Sequence, residues 1–226
     1  MADERRTGRL LEVVTPLHKK TPRDYAARMR DDKPGCMTVA KRFDQDFFDG
    51  ERKFGYGGYA YDGRWEPAAR RLIELHGLKP GASVLDVGCG KGFLLREFQK
   101  LLPGGRVAGF DVSRYAVEHA QEDVKPSLFV HDARQPYPFQ DQEFDLAVSI
   151  TTLHNLPVFD LRKSLREFQR VAKRGFLVVE SYRNDRELYN LQCWALTCLA
   201  FFSVEEWVWL FQDAGYAGDY EFIYFE

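Results

Sequence analysis

Residues 84–93 read VLDVGCGKGF: a short apolar strand, then glycines at alternate positions, then the first residues of a helix. Glycine in such a turn permits positive φ angles and lets a ligand approach the backbone without meeting a Cβ atom. In an open parallel sheet, ligands bind outside the carboxyl ends of the strands. We therefore predict a ligand site at the turn that contains Gly88, Cys89, Gly90 and Gly92.

On the carboxyl side of this turn, short apolar strands alternate with helices. The predicted strands cover residues 83–87, 106–110, 128–131, 144–150, 176–181 and 220–226, and the predicted helices cover 91–101, 114–122, 158–172 and 203–215. Near-continuous apolar strands that alternate with helices are typical of a parallel sheet covered on both faces. The predicted fold class is therefore α/β, with a doubly wound, mostly parallel sheet.

The first 65 residues follow a different pattern. Residues 1–20 carry many charges and only short apolar runs, which predicts a loose tail. Residues 21–65 are predicted to form a helical cap with two short helices, the second of which ends at Gly50. The cap closes with the aromatic and glycine-rich loop FGYGGYAYDGRW (54–65). The core domain is predicted to span residues 66–226.

Composition narrows the class of protein. The chain has 226 residues, of which 45% are hydrophobic, and a formal net charge of −2. This charge balance argues against nucleic-acid binding through a broad basic surface. No window approaches the ~18 consecutive apolar residues of a membrane span, and the N-terminus lacks the apolar core of a secretory signal. The four cysteines lack close paired spacing, as expected of reduced thiols. We expect a cytoplasmic protein with neither a nucleic-acid nor a membrane partner.

Three acidic residues near the ends of the first three predicted strands favour one ligand class over another. Asp111 lies 19 residues after Gly92, where a carboxylate can accept hydrogen bonds from both hydroxyls of a ribose. The glycine spacing is G-x-G-x-G, not the G-x-G-x-x-G of the nicotinamide fingerprint. Asp86 would repel a pyrophosphate but suits a cationic sulfonium or ammonium. Asp132 can hold an adenine amino group. The alternative for Asp86 and Asp132 is a solvated turn acid.

VLDVGCGKGF, GFDVS, HDA and FDLAVSITTLHNL, in this order and spacing, resemble the successive motifs of class I S-adenosylmethionine-dependent methyltransferases. The resemblance covers roughly residues 66–226 and implies a Rossmann-like methyltransferase fold with S-adenosylmethionine as the cofactor. It also implies the following contacts: Asp86 and Gly88–Gly92 with the methionine end, Asp111 and Val112 with the ribose, Asp132 and Ala133 with the adenine, and Thr151 near the methyl group.

The loop 54–65 lies where this family often places a lid. Tyr56 and Tyr59 would then wall the sulfonium with their rings or supply hydroxyls to the acceptor, which makes Tyr59 a candidate catalytic residue. Arg64 would meet the cofactor carboxylate or an anionic acceptor. The alternative is a surface loop that is held in place by aromatic packing.

A second candidate catalytic residue is His154, which follows the fourth predicted strand in TTLHNLP. Histidine titrates near neutral pH, so it can remove a proton from a hydroxyl or an ammonium acceptor. The alternative is a histidine that only hydrogen-bonds a loop or shapes the pocket.

The motifs say little about the acceptor. The position after the fourth strand lacks the N/D-P-P-Y/F motif of amino-methylating nucleic-acid enzymes, and no pair of acids there predicts a metal site. The whole chain, including NLQCWALTC (190–198), is similar to small bacterial methyltransferases of uncharacterised or sugar-modifying type. That similarity implies O- or N-methylation, by in-line displacement, of a small polar molecule such as a sugar or a cell-surface precursor. An RNA or protein methyltransferase, and a cofactor-binding protein without methyl transfer, remain alternatives.

The edge of the sheet departs from the family pattern. The family's sheet usually ends in a two-stranded hairpin, but only one strand's worth of chain follows Gly215. Either the sheet has six strands, or a segment within 192–202 supplies another. An unpaired edge invites pairing with a second chain, so a homodimer through this edge would be physically sensible.

Overall fold

In the computed structural model, which describes residues 8–226, six strands form one sheet in the order β3-β2-β1-β4-β5-β6. The strands are β1 (Ser83–Val87), β2 (Arg106–Asp111), β3 (Leu128–Val130), β4 (Leu146–Ile150), β5 (Gly175–Glu180) and β6 (Asp219–Ile223). Every neighbouring pair is parallel. The predicted doubly wound sheet is confirmed. Its strand order reverses between β1 and β4, and ligands of such sheets bind at this switch point.

Helices cover both faces of the sheet. They are α1 (Thr15–His18), α2 (Tyr25–Arg30), α3 (Lys33–Ala40), α4 (Gln45–Phe48), α5 (Glu66–His76), α6 (Phe93–Leu101), α7 (Arg114–Glu118), α8 (Val158–Val171), α9 (Asp185–Trp194) and α10 (Val204–Ala214). Apolar side chains of α5, α6 and α9 pack on one face, and those of α8 and α10 pack on the other. Alternate residues of the buried strands serve the two layers, as Val84 and Leu85 do in β1. In the described part of the chain, no helix is both long enough and apolar enough to cross a bilayer.

Helix boundaries follow local signals where the chain provides them. Ser203 and Glu206 form the reciprocal capping box that starts α10, and Gly215 ends that helix in the left-handed conformation. The N-terminal cap contains a break that the sequence pattern did not predict. Phe43 takes a φ of +50°, which separates α3 from α4, and the Asp44 carboxylate then caps α4. Helix α9 was also not predicted.

Residues 9–15 run along the outer edge of β6, whereas the sequence predicts a loose tail over residues 1–20. Leu11 N donates to Tyr220 O at 2.8 Å, and Tyr220 N donates to Arg9 O at 3.0 Å. The buried carboxylate of Glu221 accepts hydrogen bonds from three successive backbone N–H groups, those of residues 13–15. Residues 1–7 lie outside the described residues. Residues 9–15 are therefore bound to β6 and do not form a loose tail.

The sheet ends with β6, and residues 192–202 form the end of α9 and a loop rather than a further strand. The chain's own N-terminal segment covers the β6 edge at which a homodimer was expected. The opposite edge is β3, which has three residues. A homodimer through a sheet edge stays a prediction, and β3 is the edge left for it.

Glu221→Gln should lower the free energy of unfolding by about 2–3 kcal/mol, because hydrogen bonds to charged groups each contribute about 1.5–3 kcal/mol and the amide replaces one acceptor oxygen with a donor. Urea unfolding measures the effect. Glu118→Gln, on the exposed side of α7, is the matched control and should change stability little. An unchanged midpoint in Glu221→Gln would show that the N-terminal segment adds little stability.

Candidate functional site

A cavity of about 390 Å³ opens at the carboxyl ends of β1, β2 and β4, between the glycine turn and the N-terminal cap. Most of the site residues predicted from the sequence line it: Tyr56, Tyr59, Asp86, Gly88, Cys89, Gly90, Asp111, Val112, Asp132, Ala133 and Thr151. Gly92, Arg64 and His154 lie outside the described lining of this cavity. The structure therefore brings together residues from four strand ends and from the lid loop.

The three glycines of the turn have different surroundings. All of them have positive φ angles. A Cβ atom on Gly90 would lie 3.5 Å from the Tyr59 ring and 3.6 Å from the Phe48 ring, in the space between the turn and the lid. A Cβ atom on Gly92 would instead lie 2.8 Å from Leu128, so this glycine permits close packing of α6 against β3. Gly88 also lines the cavity, but a Cβ atom on it would collide with the Thr152 side chain, so Gly90 is the glycine that opens onto the space beneath the lid.

Asp86 is a buried carboxylate without a full set of partners. The residue is 4% exposed, and its Oδ1 atom accepts no hydrogen bond from residues 8–226. Burial, and next the negative charge of Asp111, raises the pKa of Asp86 to about 8. An orphaned buried acceptor is costly, and a cation beside it would remove that cost. This part of the cavity therefore suits a positively charged ligand group.

Asp111 is fixed by the backbone at the end of β2. Its Oδ2 atom accepts a hydrogen bond from Gly90 N at 2.8 Å, and its Oδ1 atom accepts one from Ser113 N at 2.8 Å. Burial raises the pKa of Asp111, and these hydrogen bonds oppose that effect. A carboxylate has about four acceptor positions, so two remain for a ligand. The arrangement can accept both hydroxyls of a ribose.

Asp132 lines the cavity together with Arg134, which already pairs with it. The guanidinium of Arg134 donates to both carboxylate oxygens, and the Arg134 backbone N–H donates to Oδ1 at 2.9 Å. The hydrogen bonds from Arg134 lower the pKa of Asp132, although burial opposes them. The carboxylate stays ionised, and an adenine amino group would share it with Arg134.

Residues that sequence reasoning missed complete the wall on the side of the N-terminal cap and of β4. Asn155 lines the cavity, and its buried Oδ1 atom accepts no hydrogen bond within the described chain. The other additional lining residues include Lys41, Phe43, Phe47, Phe48, Trp65, Leu156, Thr197 and Leu199. Asn155 directly follows His154, so its position after the fourth predicted strand could have identified it as a site residue from the sequence. The aromatic residues of the cap gave only a helical pattern, which does not say what they face.

His154 lies behind the cavity wall. It is 3% exposed, and burial lowers its pKa to about 3, so the imidazole is neutral. Its Nδ1 atom accepts a hydrogen bond from Glu180 N at 3.2 Å, which places the proton on Nε2, 3.6 Å from Glu180 Oε2. The His154 carbonyl accepts from Leu199 N and Ala200 N. This geometry favours the alternative reading, a histidine that holds a loop, over a proton acceptor for a substrate.

Two lid residues are placed differently from each other. Arg64 is exposed and pairs with Asp62 inside its own loop, so its guanidinium does not line the cavity. Tyr59 stacks on Phe93 with ring centroids 4.7 Å apart and on Tyr56 at 4.4 Å. Burial raises the pKa of Tyr59 well above its ordinary value, so its hydroxyl stays protonated and can donate or accept a hydrogen bond but is not a phenolate base.

Asp49 fastens the lid to the glycine turn. Lys91, inside the turn, donates to Asp49 Oδ2 at 2.6 Å and to Tyr59 O at 2.9 Å. Tyr59 N donates to Asp49 Oδ1 at 2.9 Å, and the Tyr115 hydroxyl of α7 donates to Asp49 Oδ2 at 2.7 Å. Burial alone would raise the pKa of Asp49, but these hydrogen bonds together lower it. We call Asp49, Tyr59, Lys91 and Tyr115 the lid latch.

Comparison with known proteins identifies the domain. Residues 84–175 match the family model described as a methyltransferase domain. This chain carries a methyltransferase domain, and its sheet has the Rossmann-like fold of class I, S-adenosylmethionine-dependent methyltransferases. A 2-methyl-6-phytyl-1,4-hydroquinone methyltransferase from Synechocystis sp. is 30% identical over 196 residues, which cover 78% of this chain and 58% of the relative. A demethylmenaquinone methyltransferase from Staphylococcus aureus is 32% identical over 114 residues, covering 49% of this chain and 46% of the relative.

Solved structures share the methyltransferase fold at lower identity. A SAM-dependent methyltransferase from Aquifex aeolicus aligns with a TM-score of 0.50 and 22% identity, and the alignment covers 82% of this chain and 89% of that one. The YcgJ protein of Bacillus subtilis aligns with a TM-score of 0.53 and 23% identity over 65% of this chain and 66% of that one. The chain spans 31–58% of the length of the first curated relatives that it matches.

The cavity of this methyltransferase domain fits the cofactor that the family and fold imply, S-adenosylmethionine. The orphaned Asp86 oxygen meets the need of a cationic sulfonium or ammonium for a counterion. Gly90 leaves room for that end of the ligand beneath the lid aromatics. Asp111 and Asp132 offer carboxylates for a ribose and an adenine amino group.

Lys91→Met should loosen the lid of the methyltransferase domain, because Asp49 and the Tyr59 carbonyl lose their shared donor. Amide hydrogen exchange of residues 54–61 should become about tenfold faster, whereas exchange of the core strands should not change. Lys173→Met, which removes an exposed lysine paired with Asp145, is the control. S-adenosylhomocysteine should slow lid exchange in the wild type. Equal lid exchange in all these samples would mean that aromatic packing alone holds the loop.

Proposed function

We propose that this protein transfers the methyl group of S-adenosylmethionine to a small molecule. The observation that carries the proposal is the unpartnered, buried oxygen of Asp86 beside Gly90 and Asp111 in one cavity. A neutral or anionic ligand would leave this carboxyl protonated and its buried oxygen unpaired, whereas a sulfonium cofactor brings a positive charge that favours the ionised carboxylate. The bound cofactor would supply an electrophilic methyl group. The residues of the chain would bind, orient and shield the two reactants.

Positioning is the main task of such a site, because methyl transfer from a sulfonium is an in-line displacement. Asp111 would hold the ribose, and Asp132 with Arg134 would hold the adenine. Thr151 ends β4 with a φ of +49°, a conformation that few non-glycine residues adopt and that is frequent at functional sites. Tyr56 and Tyr59 would cover the reacting groups and exclude water. These residues would together orient the cofactor and the acceptor for in-line methyl transfer.

The lining supports a small acceptor with a flat or apolar face. Phe43, Phe47, Phe48, Tyr56 and Tyr59 contribute aromatic rings to one wall. Closure of the lid over this wall favours a small molecule over a polymer. Among the described lining residues, only Lys41, His131 and Arg134 are basic, which gives little support to an RNA acceptor.

Two acceptor chemistries follow from this wall. The sequence favours a small polar molecule such as a sugar, methylated on oxygen or nitrogen, and the apolar face of a sugar ring can stack on aromatic side chains. Relatives of the domain are named for a hydroquinone and for demethylmenaquinone, which are flat rings. We propose a ring-containing small molecule that bears a hydroxyl or an amine. Sugars and quinols are the two classes to screen first.

Asp111→Ala should weaken the binding of S-adenosylhomocysteine at least about tenfold, because two ribose hydroxyls lose a charged acceptor that contributes about 1.5–3 kcal/mol per hydrogen bond. Titration calorimetry measures this affinity. Asp123→Ala, an exposed acid that pairs with Arg96, is the control. A screen of sugars, nucleotide sugars and quinols, with S-adenosylhomocysteine as the readout, then tests transfer. Failure of the wild type to bind S-adenosylhomocysteine would refute the proposed function.

Cofactor binding should also release a proton at pH 7. The pKa of Asp86 in the free protein is about 8, so the carboxyl is mostly protonated at pH 7. A bound ammonium favours the ionised form, so the proton leaves on binding, and affinity should rise by up to about tenfold per pH unit between pH 6 and 8. Calorimetry in buffers of different ionisation enthalpy counts the proton. Asp86→Asn should release none, and the same release in Asp86→Asn and wild type would assign the proton elsewhere.

A further inference from the structure

Three arginines surround one tryptophan beside the cavity. The Cζ atoms of Arg23, Arg28 and Arg52 lie 5.4, 4.9 and 5.1 Å from the centroid of the Trp194 ring. Within residues 8–226, none of these guanidinium groups forms an ion pair with a carboxylate. Burial lowers the pKa of all three, and the positive charge of Arg52 adds to this effect at Arg23 and Arg28. The cluster is thus a concentration of positive charge that the described chain leaves uncompensated.

Part of this charge has a structural role at the end of α9. Lys33 Nζ donates to the carbonyls of Gln192 and Cys193, and Arg28 Nε donates to the carbonyl of Trp194 at 3.4 Å. Cations stabilise the carboxyl end of a helix in this way, since its last carbonyls are unpaired and carry the negative end of the dipole. Arg28 and Lys33 are therefore explained by the fold.

Arg23 and Arg52 are only partly explained by the fold. Arg23 Nη1 donates to the carbonyls of Thr21 and of His18, the last residue of α1, and its Nη2 atom lies 3.0 Å from His18 Nδ1, but its buried Nε atom has no hydrogen-bond partner among the described residues. The Arg52 guanidinium donates from Nη1 to the carbonyl of Gly55. Both side chains stack on Trp194, which holds the guanidinium planes in place without neutralising them. Each retains donors that an anion could use.

The arginines and Trp194 do not belong to the described lining of the cavity, but residues near them do. Thr197 and Leu199 follow Trp194 closely in the chain, and both line the cavity. The charge of Arg52 acts on the hydroxyl of Tyr56, another lining residue. The charge of Arg23 acts on Glu180 at the end of β5, but the two side chains form no ion pair. Burial raises the pKa of Glu180 to about 7, so this carboxyl is a weak counterion at neutral pH.

We propose that Arg23 and Arg52 bind an anionic group, a carboxylate or a phosphate, carried by the methyl acceptor. The statement that the anion is carried by a methyl acceptor rests on the proposed function. The anion site itself does not depend on that function. Guanidinium groups match carboxylate and phosphate oxygens with paired N–H donors, and stacked arginines are preorganised for that contact. Arg23 is partly buried and Arg52 is exposed, so an anion can reach the pair from solvent, and its binding would stabilise the folded chain.

Anion binding can be measured on the full chain without knowing the acceptor. Thermal unfolding is followed in rising inorganic phosphate, and separately in rising acetate, against chloride at equal ionic strength. The wild type should gain stability from phosphate, from acetate, or from both, and the effective probe identifies the anionic group. Arg23→Gln and Arg52→Gln should each need at least about tenfold more of that probe for the same gain. Arg52→Lys should recover part of the response.

Arg106→Gln is the matched control, because it removes an exposed arginine of β2 that pairs with Glu143 far from Trp194. It should leave the anion response unchanged. No gain from either probe in the wild type, or an equal gain in Arg23→Gln, Arg52→Gln and wild type, would overturn the proposal.

A second measurement separates this proposal from the proposed function. S-adenosylhomocysteine should bind Arg23→Gln and Arg52→Gln with the affinity of the wild type. If the wild type fails to bind S-adenosylhomocysteine, the proposed function fails, and the anion response still decides the site. Once an acceptor is found, Arg52→Gln should raise its KM at least about tenfold and change kcat little. Faster turnover of neutral acceptors than of their carboxylated or phosphorylated analogues would overturn the assignment to the acceptor.

Discussion

The hydrogen bond from Gly90 N to the carboxylate of Asp111 joins the ends of β1 and β2, and the geometry of the cavity depends on it. Gly88 N and Cys89 N also donate to the carbonyl of Phe110, so most of the backbone donors of the turn after β1 are bound at the end of β2, and Thr152 donates to the Gly88 carbonyl from the end of β4. A side chain at Gly90 would occupy the space beneath the lid, which is why this contact requires glycine. The same turn contains Lys91, whose ammonium group donates a hydrogen bond to Asp49 and so holds the lid. The hydrogen bond between Gly90 and Asp111 therefore positions the glycine turn, and the turn positions the lid through Lys91.

Local chemistry explains why much of the core could be predicted from the sequence. The turn after β1 contains its own glycines, and α10 contains its own caps in Ser203 and Gly215. Asp111 and Asp132 come at strand ends, and parallel topology carries all such ends to one edge of the sheet. Each of these features needs only a few neighbouring residues and the general rules of parallel sheets. The strands, most helices and the majority of the cavity lining followed from them.

The features that could not be predicted depend on partners far away in the chain. The N-terminal segment is held by Glu221, more than two hundred residues later, so its own composition suggests a loose tail. His154 has the position expected of a site residue, but the backbone N–H of Glu180 takes the lone pair that a proton acceptor would need. The sequence predicts one helix that ends at Gly50, but Phe43 takes a φ of +50°, which divides that segment into α3 and α4. In the first two cases, tertiary contacts override a correct local pattern.

Ionisable groups without partners occur in the cavity and in the arginine cluster at Trp194, and the two have opposite signs when ionised. Among residues 8–226, Asp86 Oδ1 accepts no hydrogen bond, and Arg23 and Arg52 form no ion pair. Pairing these groups with each other would stabilise the free protein, but the sheet holds Asp86 on β1 while the arginines belong to the N-terminal cap. The free chain therefore keeps Asp86 mostly protonated at pH 7 and leaves the two arginines without a counterion among the described residues, and ligands that bring a cation to the carboxyl and an anion to the arginines would stabilise the folded chain. Sites of this kind discriminate by charge, because a ligand of the wrong sign leaves these groups unpaired.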